Sequence, residues 1–214
     1  MKRLALRPQS LGLALCLLLT LAWAACTAEP AEPTDGSPYP LPDGSSARRW
    51  GDGGYGVVLI PGDAAGAASW AATARVLADE GMTVVAIDGP DAASAEAAIR
   101  ELQAGGIERV AVMAAGSGST AAFGLGAAQP ELVDQLITLS ARGNVSQLGV
   151  FPKLFVASEG EGAAEEAERM TEAAPGDWNE VFLAPGGATG LGILQSDSGA
   201  ATLDVIVQRL EERR

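Results

Sequence analysis

From residue 50 onward, short apolar runs alternate with longer stretches of helical character. The apolar runs are rich in Val, Ile and Leu, and they are apolar at consecutive positions instead of at every second one. This pattern is typical of parallel strands whose sheet is covered by helices on both faces, because neither face then meets water. The predicted strands cover residues 56–60, 83–87, 109–113, 135–139, 153–157 and 180–183.

The Ala-rich stretches between and after these strands predict helices. The last one is the clearest, with Leu203, Ile206 and Leu210 on one face and Asp204 and Glu211 on the other. Regular alternation of strand and helix predicts an α/β fold: a doubly wound, mostly parallel sheet of about six strands with helices on both faces. Ligands of such sheets bind at the carboxyl ends of the strands. The predicted helices cover residues 68–80, 92–105, 119–129, 162–174 and 198–213.

The first 25 residues predict a signal peptide. Basic residues near the start precede an apolar run at 11–22, which is shorter than the roughly 20 residues of a transmembrane helix and typical of a secretory signal. The run leads into WAAC at 23–26, which resembles the lipobox of bacterial lipoproteins. The resemblance implies that Cys26 becomes the first mature residue and carries a lipid anchor. Ordinary secretion after cleavage near Ala25, or an uncleaved anchor, are the alternatives.

Residues 26–49 contain five Pro among scattered Gly, Ser and acidic residues. This composition predicts an extended, solvated tether without helix or strand. The folded domain is accordingly predicted to span 50–214.

Charge and composition exclude several functions. The chain has 14 Lys and Arg against 27 Asp and Glu, a formal charge of −13, which disfavours binding to nucleic acid or to anionic lipid headgroups. Membrane attachment must then rest on the lipid at Cys26. The sequence contains no His, which excludes a Ser-His-Asp triad, a Cys-His dyad and any His-ligated metal. No cofactor or metal is predicted.

The carboxyl ends of four predicted strands carry short motifs: VVLIPG at 57–62, MAAGSGS at 113–119, ASEGE at 157–161 and APGGATG at 184–190. In this order and spacing they resemble α/β-hydrolases of the small, lidless esterase or dienelactone-hydrolase-like kind. The resemblance covers essentially the whole predicted domain. The loop at 141–150 is too short for the lid domain that many lipases insert there.

In that family the nucleophilic Ser lies at the centre of G-x-S-x-G, on a sharp turn between a strand and a helix. Aligning strand with strand puts this pentapeptide on residues 114–118, so Gly116 stands at the nucleophile position. The helix continuation STAA at 119–122 favours this register. A shift of one residue would instead make Ser117 the central residue, flanked by Ala and Ser. The favoured register implies a missing nucleophile, with Ser117 as the fallback.

The resemblance also assigns the other site positions. The acid of the family follows the next-to-last strand, where Glu161 lies, with Glu159 as the second choice. Thr189 stands where the family has its catalytic His, and a Thr hydroxyl cannot take up a proton at neutral pH. Pro61 and Gly62 replace the His-Gly pair beside the oxyanion hole, whose donors are backbone N–H groups.

Other bases for Ser117 are disfavoured. Lys153 begins its predicted strand, so it should lie at the opposite edge of the sheet. A carboxylate at Asp63 or Glu161 is too weakly basic to activate a Ser hydroxyl.

Two further interpretations use the same residues. GSGSTA at 116–121 fits the dinucleotide pattern G-x-G-x-x-[GA], but it follows the third strand and no acid ends the next one. Acidic residues near the strand ends could hold Ca²⁺ or Mg²⁺, although their spacing matches no known loop and solvent-exposed acids are the simpler interpretation. These residues are Asp88, Asp91, Glu159 and Glu161.

The sequence therefore favours a lipid-anchored, extracytoplasmic protein of the bacterial cell envelope with a degenerate hydrolase site. The leading hypothesis is a non-catalytic pseudoenzyme that binds a small-molecule ligand or an envelope protein. The predicted pocket is lined by Pro61, Gly62, Gly116, Ser117 and Thr189. The alternative is a divergent esterase-like serine hydrolase that uses Ser117 on carboxylic esters. A third hypothesis is an interaction module in which no pocket is used.

Overall fold

The computed structural model describes residues 35–62 and 65–212. The predicted signal peptide, Cys26 and Asp63 lie outside the described residues. None of the helices in the described part of the chain is both long and apolar enough to span a bilayer.

The centre of the fold is one sheet of eight strands in the order β1-β2-β4-β3-β5-β6-β7-β8. Neighbours from β4 through β8 in this order pair in parallel, whereas β2 is antiparallel to both β1 and β4. The strands are β1 Ser37–Pro40, β2 Ser46–Trp50, β3 Tyr55–Ile60, β4 Met82–Ile87, β5 Val110–Ala115, β6 Gln135–Leu139, β7 Lys153–Ser158 and β8 Asn179–Ala184.

Helices cover both faces of the sheet, as predicted. The helices are α1 Ala71–Asp79, α2 Ala92–Ala104, α3 Gly118–Ala128, α4 Ala164–Ala173 and α5 Gly199–Glu211. Apolar residues of α2, α3 and α4 share one core layer, and those of α1 and α5 share the other. Every residue of β3 to β7 is buried, which is the physical reason for their predominantly apolar sequences.

The six predicted strands correspond to β3 through β8, and the doubly wound α/β architecture is confirmed. The count of about six strands is corrected to eight, because β1 and β2 add an antiparallel hairpin at one edge.

All of this hairpin except Trp50 lies within residues 26–49, and the prediction that this segment contains no strand is wrong. Pro38 and Pro40 are tolerated because β1 is an edge strand, where a missing N–H disrupts no ladder on the outer side. Leu41 and Ala47 are buried in the core, so the hairpin is packed against the sheet and is not a solvated spacer.

Candidate functional site

The turn between β5 and α3 lies at the carboxyl edge of the sheet and contains only two residues, Gly116 and Ser117. Gly116 adopts a left-handed conformation with φ 53°, which favours Gly over residues with a side chain. Its N–H donates to Leu139 O at 2.8 Å, so the turn begins directly at the end of the β5–β6 ladder. A Cβ on Gly118 would lie 2.3 Å from Pro61 O, so the first residue of α3 must be Gly for the helix to pack this closely.

Gly116 occupies the left-handed centre of this turn, which is the position that the favoured register assigns to the nucleophile. A Cβ built on Gly116 meets no atom within 4 Å, so the fold leaves open space where a side chain would project. Ser117 follows with φ −64° in the right-handed region and is exposed. Its Oγ lies 3.7 Å from the position of a Cβ on Gly62, on the side where the family's oxyanion donors are expected.

Glu161 lies in the loop after β7, and its carboxylate is already engaged. Its Oε2 accepts the Ser140 hydroxyl at 2.7 Å and the Ser158 N–H at 3.3 Å. Ser140 Oγ in turn accepts the Gly190 N–H at 2.7 Å. The Glu161 carboxylate and the Ser140 hydroxyl therefore link the loops that follow β6, β7 and β8 by hydrogen bonds. Glu159 is exposed and takes no part in this chain of hydrogen bonds.

Sequence reasoning missed Ser140. This residue follows β6 with φ 54°, a left-handed conformation that is uncommon for any residue with a side chain. A polar residue at the carboxyl end of a parallel strand is the signal that could have identified it.

The turn after β8 lies close to Gly116. A Cβ on Gly190 would lie 3.9 Å from Gly116 N, which measures how closely the two turns approach. Thr189, which the sequence resemblance assigned to the His position, is exposed and precedes the 3₁₀ helix Gly190–Gln195. The structure thus brings the turns that carry Gly116 and Thr189 to one place, and Ser140 connects the Glu161 carboxylate to the second turn.

A cavity of about 140 Å³ lies between these turns. It shares Gly62 and Gly116 with the predicted pocket, whereas Pro61, Ser117 and Thr189 are not among its described lining residues. None of the lining residues that the structure describes has a polar side chain. The lining residues are Gly62, Ala65, Ala115, Gly116, Gly190 and Leu191.

Lys153 is far from this cavity along its strand. It begins β7 at the opposite edge of the sheet, where its buried Nζ donates to Phe151 O at 2.6 Å and Pro175 O at 2.7 Å. Burial lowers the pKa of this ammonium to about 8. It cannot serve a nucleophile at the carboxyl edge.

Two of the acidic residues considered for a metal site, Asp88 and Asp91, have structural roles. Asp91 caps α2 by accepting the Ser94 N–H at 2.8 Å, and this hydrogen bond holds the pKa of its carboxyl below the usual value. Asp88 Oδ1 accepts the Ala67 N–H at 3.1 Å. Across residues 35–62 and 65–212, no group of three or more acidic or Cys side chains is arranged to hold a metal ion.

Comparison with solved structures shows an α/β-hydrolase fold. A monoacylglycerol lipase from Paleococcus ferrophilus matches with a TM-score of 0.67 and 12% identity, over 83% of this chain and 100% of the lipase. A predicted CIB-like hydrolase from Thermoplasma acidophilum matches with a TM-score of 0.62 and 15% identity, over 82% and 98%.

A cold-adapted esterase from an Arctic intertidal metagenomic library gives a TM-score of 0.58 at 14% identity, over 82% of this chain and 92% of the esterase. At these identities the likeness defines the fold and not the reaction. No family model and no curated protein matches the sequence.

Proposed function

We propose that this protein is a non-catalytic member of the α/β-hydrolase fold class that binds a small apolar group in the cavity beside Gly116. The observation that carries the proposal is the left-handed Gly116 at the strand–helix turn, with open space where a nucleophilic side chain would project. This geometry supports the assignment of Gly116 to a nucleophile position that lacks a reactive side chain.

The absence of His from the sequence supports the same conclusion. The sequence has no His, and Lys153 lies at the opposite edge of the sheet. The Glu161 carboxylate accepts the Ser140 hydroxyl and the Ser158 N–H, so the side chain that this acid holds is a Ser hydroxyl and not a His. A carboxylate is too weakly basic to activate a Ser hydroxyl, so no side chain of the ordinary catalytic type supports Ser117 as a nucleophile.

The cavity defines the class of ligand. Its volume of about 140 Å³ suits one group of the size of benzene or a short acyl chain, and its described lining is apolar. Two of the structural neighbours are named a lipase and an esterase, which supports an acyl group as the occupant. We infer a ligand whose short acyl end enters the cavity and whose remainder lies outside it.

The protein acts, on this proposal, at the outer side of a bacterial membrane. The signal-like segment and Cys26 support lipid anchoring, and the acidic charge leaves the lipid as the means of attachment. Metabolic labelling with an alkyne-bearing palmitate tests this point: label should enter the natural protein and be absent from Cys26→Ala. Equal labelling of both would contradict anchoring at this residue.

Fluorophosphonate labelling of the chain from residue 27 onward tests the loss of catalysis. We expect no labelled Ser in the natural protein and labelling at position 116 in the double variant Gly116→Ser, Thr189→His. Labelling of the natural protein that disappears in Ser117→Ala would contradict the proposal and establish the esterase-like alternative.

Titration with methyl butyrate, followed by amide NMR, tests ligand binding. We expect saturable shifts of Gly62, Gly116 and Gly190, with no release of methanol. Gly116→Leu should fill the cavity and abolish the shifts. Gly124→Leu is the matched control, because a Cβ on this exposed Gly of α3 also meets no atom within 4 Å. Equal loss in both variants, or no shifts in the natural protein, would contradict binding in the cavity.

A further inference from the structure

A second and larger concavity lies at the amino ends of β5 to β8, at the edge of the sheet opposite the cavity beside Gly116. This amino-end groove has a volume of about 680 Å³, within the usual range of small-molecule sites. Its apolar wall includes Trp178, which is 60% exposed, Val150, which is 77% exposed, and the half-buried Phe151. Large apolar side chains at this exposure commonly mark contact sites.

Two polar side chains, the buried Lys153 and the half-buried Asn179, fix the two loops that form this wall. Lys153 Nζ donates to Phe151 O and Pro175 O, one acceptor from each loop. Asn179 Nδ2 donates to Ala174 O at 2.7 Å and Gly176 O at 2.9 Å, which fixes the loop before Trp178.

The backbone of Trp178 is held directly. Its carbonyl accepts the Lys153 N–H at 3.0 Å and Arg209 Nη2 at 3.0 Å. The Arg209 side chain is buried and is fixed in turn by Glu180 and Glu212, at 3.0 and 3.1 Å. The Trp178 indole is therefore exposed, while its backbone carbonyl is fixed by the Lys153 N–H and by the buried Arg209 guanidinium.

Burying the Lys153 ammonium costs free energy of folding. The acceptors that the described structure places around Lys153 Nζ are uncharged, so the ammonium is desolvated without a compensating carboxylate. A rigid, pre-ordered apolar surface lowers the entropy lost on binding, and Trp is the residue most often dominant in such contacts. The wall therefore has the properties of a binding surface.

The charge around the groove selects the ligand. Three carboxylates line it, from Glu108, Glu131 and Asp134. The one guanidinium among the described lining residues, that of Arg109, lies 5.7 Å from the centroid of the Tyr55 ring. The groove is net negative and repels anions, whereas a cation is attracted by both the carboxylates and the face of an indole.

We propose that the amino-end groove binds a small organic cation, an ammonium group attached to an aromatic or alkyl body. The ammonium lies among the carboxylates and the body packs against Trp178 and Phe151. This site is separate from the cavity at the carboxyl edge, and the inference does not depend on the proposed function of that cavity.

Calorimetric titration with benzyltrimethylammonium tests the proposal, with benzoate and benzyl alcohol as the anionic and neutral comparisons. The chain from residue 27 is suitable because the described residues contain the whole sheet and both helix layers. We expect the cation to bind at least tenfold more tightly than either comparison. Comparable binding of all three would overturn the proposal.

Variants locate the site. Trp178→Ala should reduce the affinity at least tenfold, and the double variant Glu108→Gln, Glu131→Gln at least fivefold, with the circular dichroism spectrum unchanged. Glu165→Gln, on the exposed start of α4 and outside the groove, is the matched control and should bind like the natural protein. Unchanged affinity in Trp178→Ala would overturn the proposal, as would binding of an oligolysine peptide without binding of the small cation.

Discussion

The two edges of the sheet differ in what their side chains provide. At the carboxyl edge, where the fold class has its reactive groups, the cavity is small and its described lining has no polar side chain. At the amino edge, the groove is several times larger and combines an exposed Trp with carboxylates. Buried Lys153 and Arg209 also lie at this edge.

The comparison distinguishes the backbone arrangement of a site from the reactivity of its side chains. The turns that follow β5, β7 and β8 are held close together, through Gly116, Gly118 and the Ser140–Glu161 pair. These features stabilise the fold whether or not a reaction takes place. Fold and function can diverge in this way because packing constrains the backbone of a site, whereas catalysis constrains a few side chains.

The largest effect is expected at Gly118. A Cβ there would lie 2.3 Å from Pro61 O and 2.9 Å from Ile60 O, both backbone atoms that cannot move without displacing β3. We expect Gly118→Ala to lower the free energy of unfolding by about 3 kcal/mol. Denaturation by urea, followed by circular dichroism, measures this change.

Gly124→Ala is the control within the same helix. A Cβ on Gly124 meets no atom within 4 Å, so Ala should raise the free energy of unfolding by about 0.5–1 kcal/mol through its better helix propensity. If Gly118→Ala were as stable as Gly124→Ala, the close packing of α3 on β3 would be wrong, and the register of the turn with it.

The fold was predictable from the sequence because β3 to β7 are buried on both faces. These strands therefore appear in the sequence as short, predominantly apolar runs. The edge hairpin was not predictable, since its Pro residues indicate a loop and only its pairing with β4 makes it part of the sheet. The position of Gly116 at the turn followed from motif order. The Ser140 link and the amino-end groove depend on contacts between distant strands, which no local pattern encodes.

At the amino edge, the stability should depend on pH through Lys153. Its pKa is lowered by burial to about 8 in the folded state, against an ordinary value of 10.5 in the unfolded chain. Between these values the unfolded state binds more protons, so the free energy of unfolding should rise with pH from about 8 upward. From pH 7 to 10 we expect a gain of about 2 kcal/mol.

Lys153→Met is the control, because it removes the titrating group and keeps the apolar stem. The gain between pH 7 and 10 should disappear in this variant, and urea denaturation at both values measures it. Burial raises the pKa of Tyr39 and, to a greater extent, of Tyr55, which opposes the trend above about pH 10, so the comparison stops there. An identical pH dependence in both proteins would contradict the burial of the ammonium.

The smallest effect is expected at Gly116, and it tests whether backbone strain or close packing favours Gly at this position. The surroundings offer space for a side chain, so the left-handed φ of 53° is the main penalty for a residue other than Gly. Gly116→Ala should therefore cost about 1 kcal/mol in unfolding free energy, and Gly116→Asn less, because Asn tolerates this conformation better. A nucleophilic Ser would carry the same strain as Ala. Gly at position 116 avoids this strain. If Gly116→Ala were instead several kcal/mol less stable, close packing would be what requires Gly there, and the open nucleophile position would be contradicted.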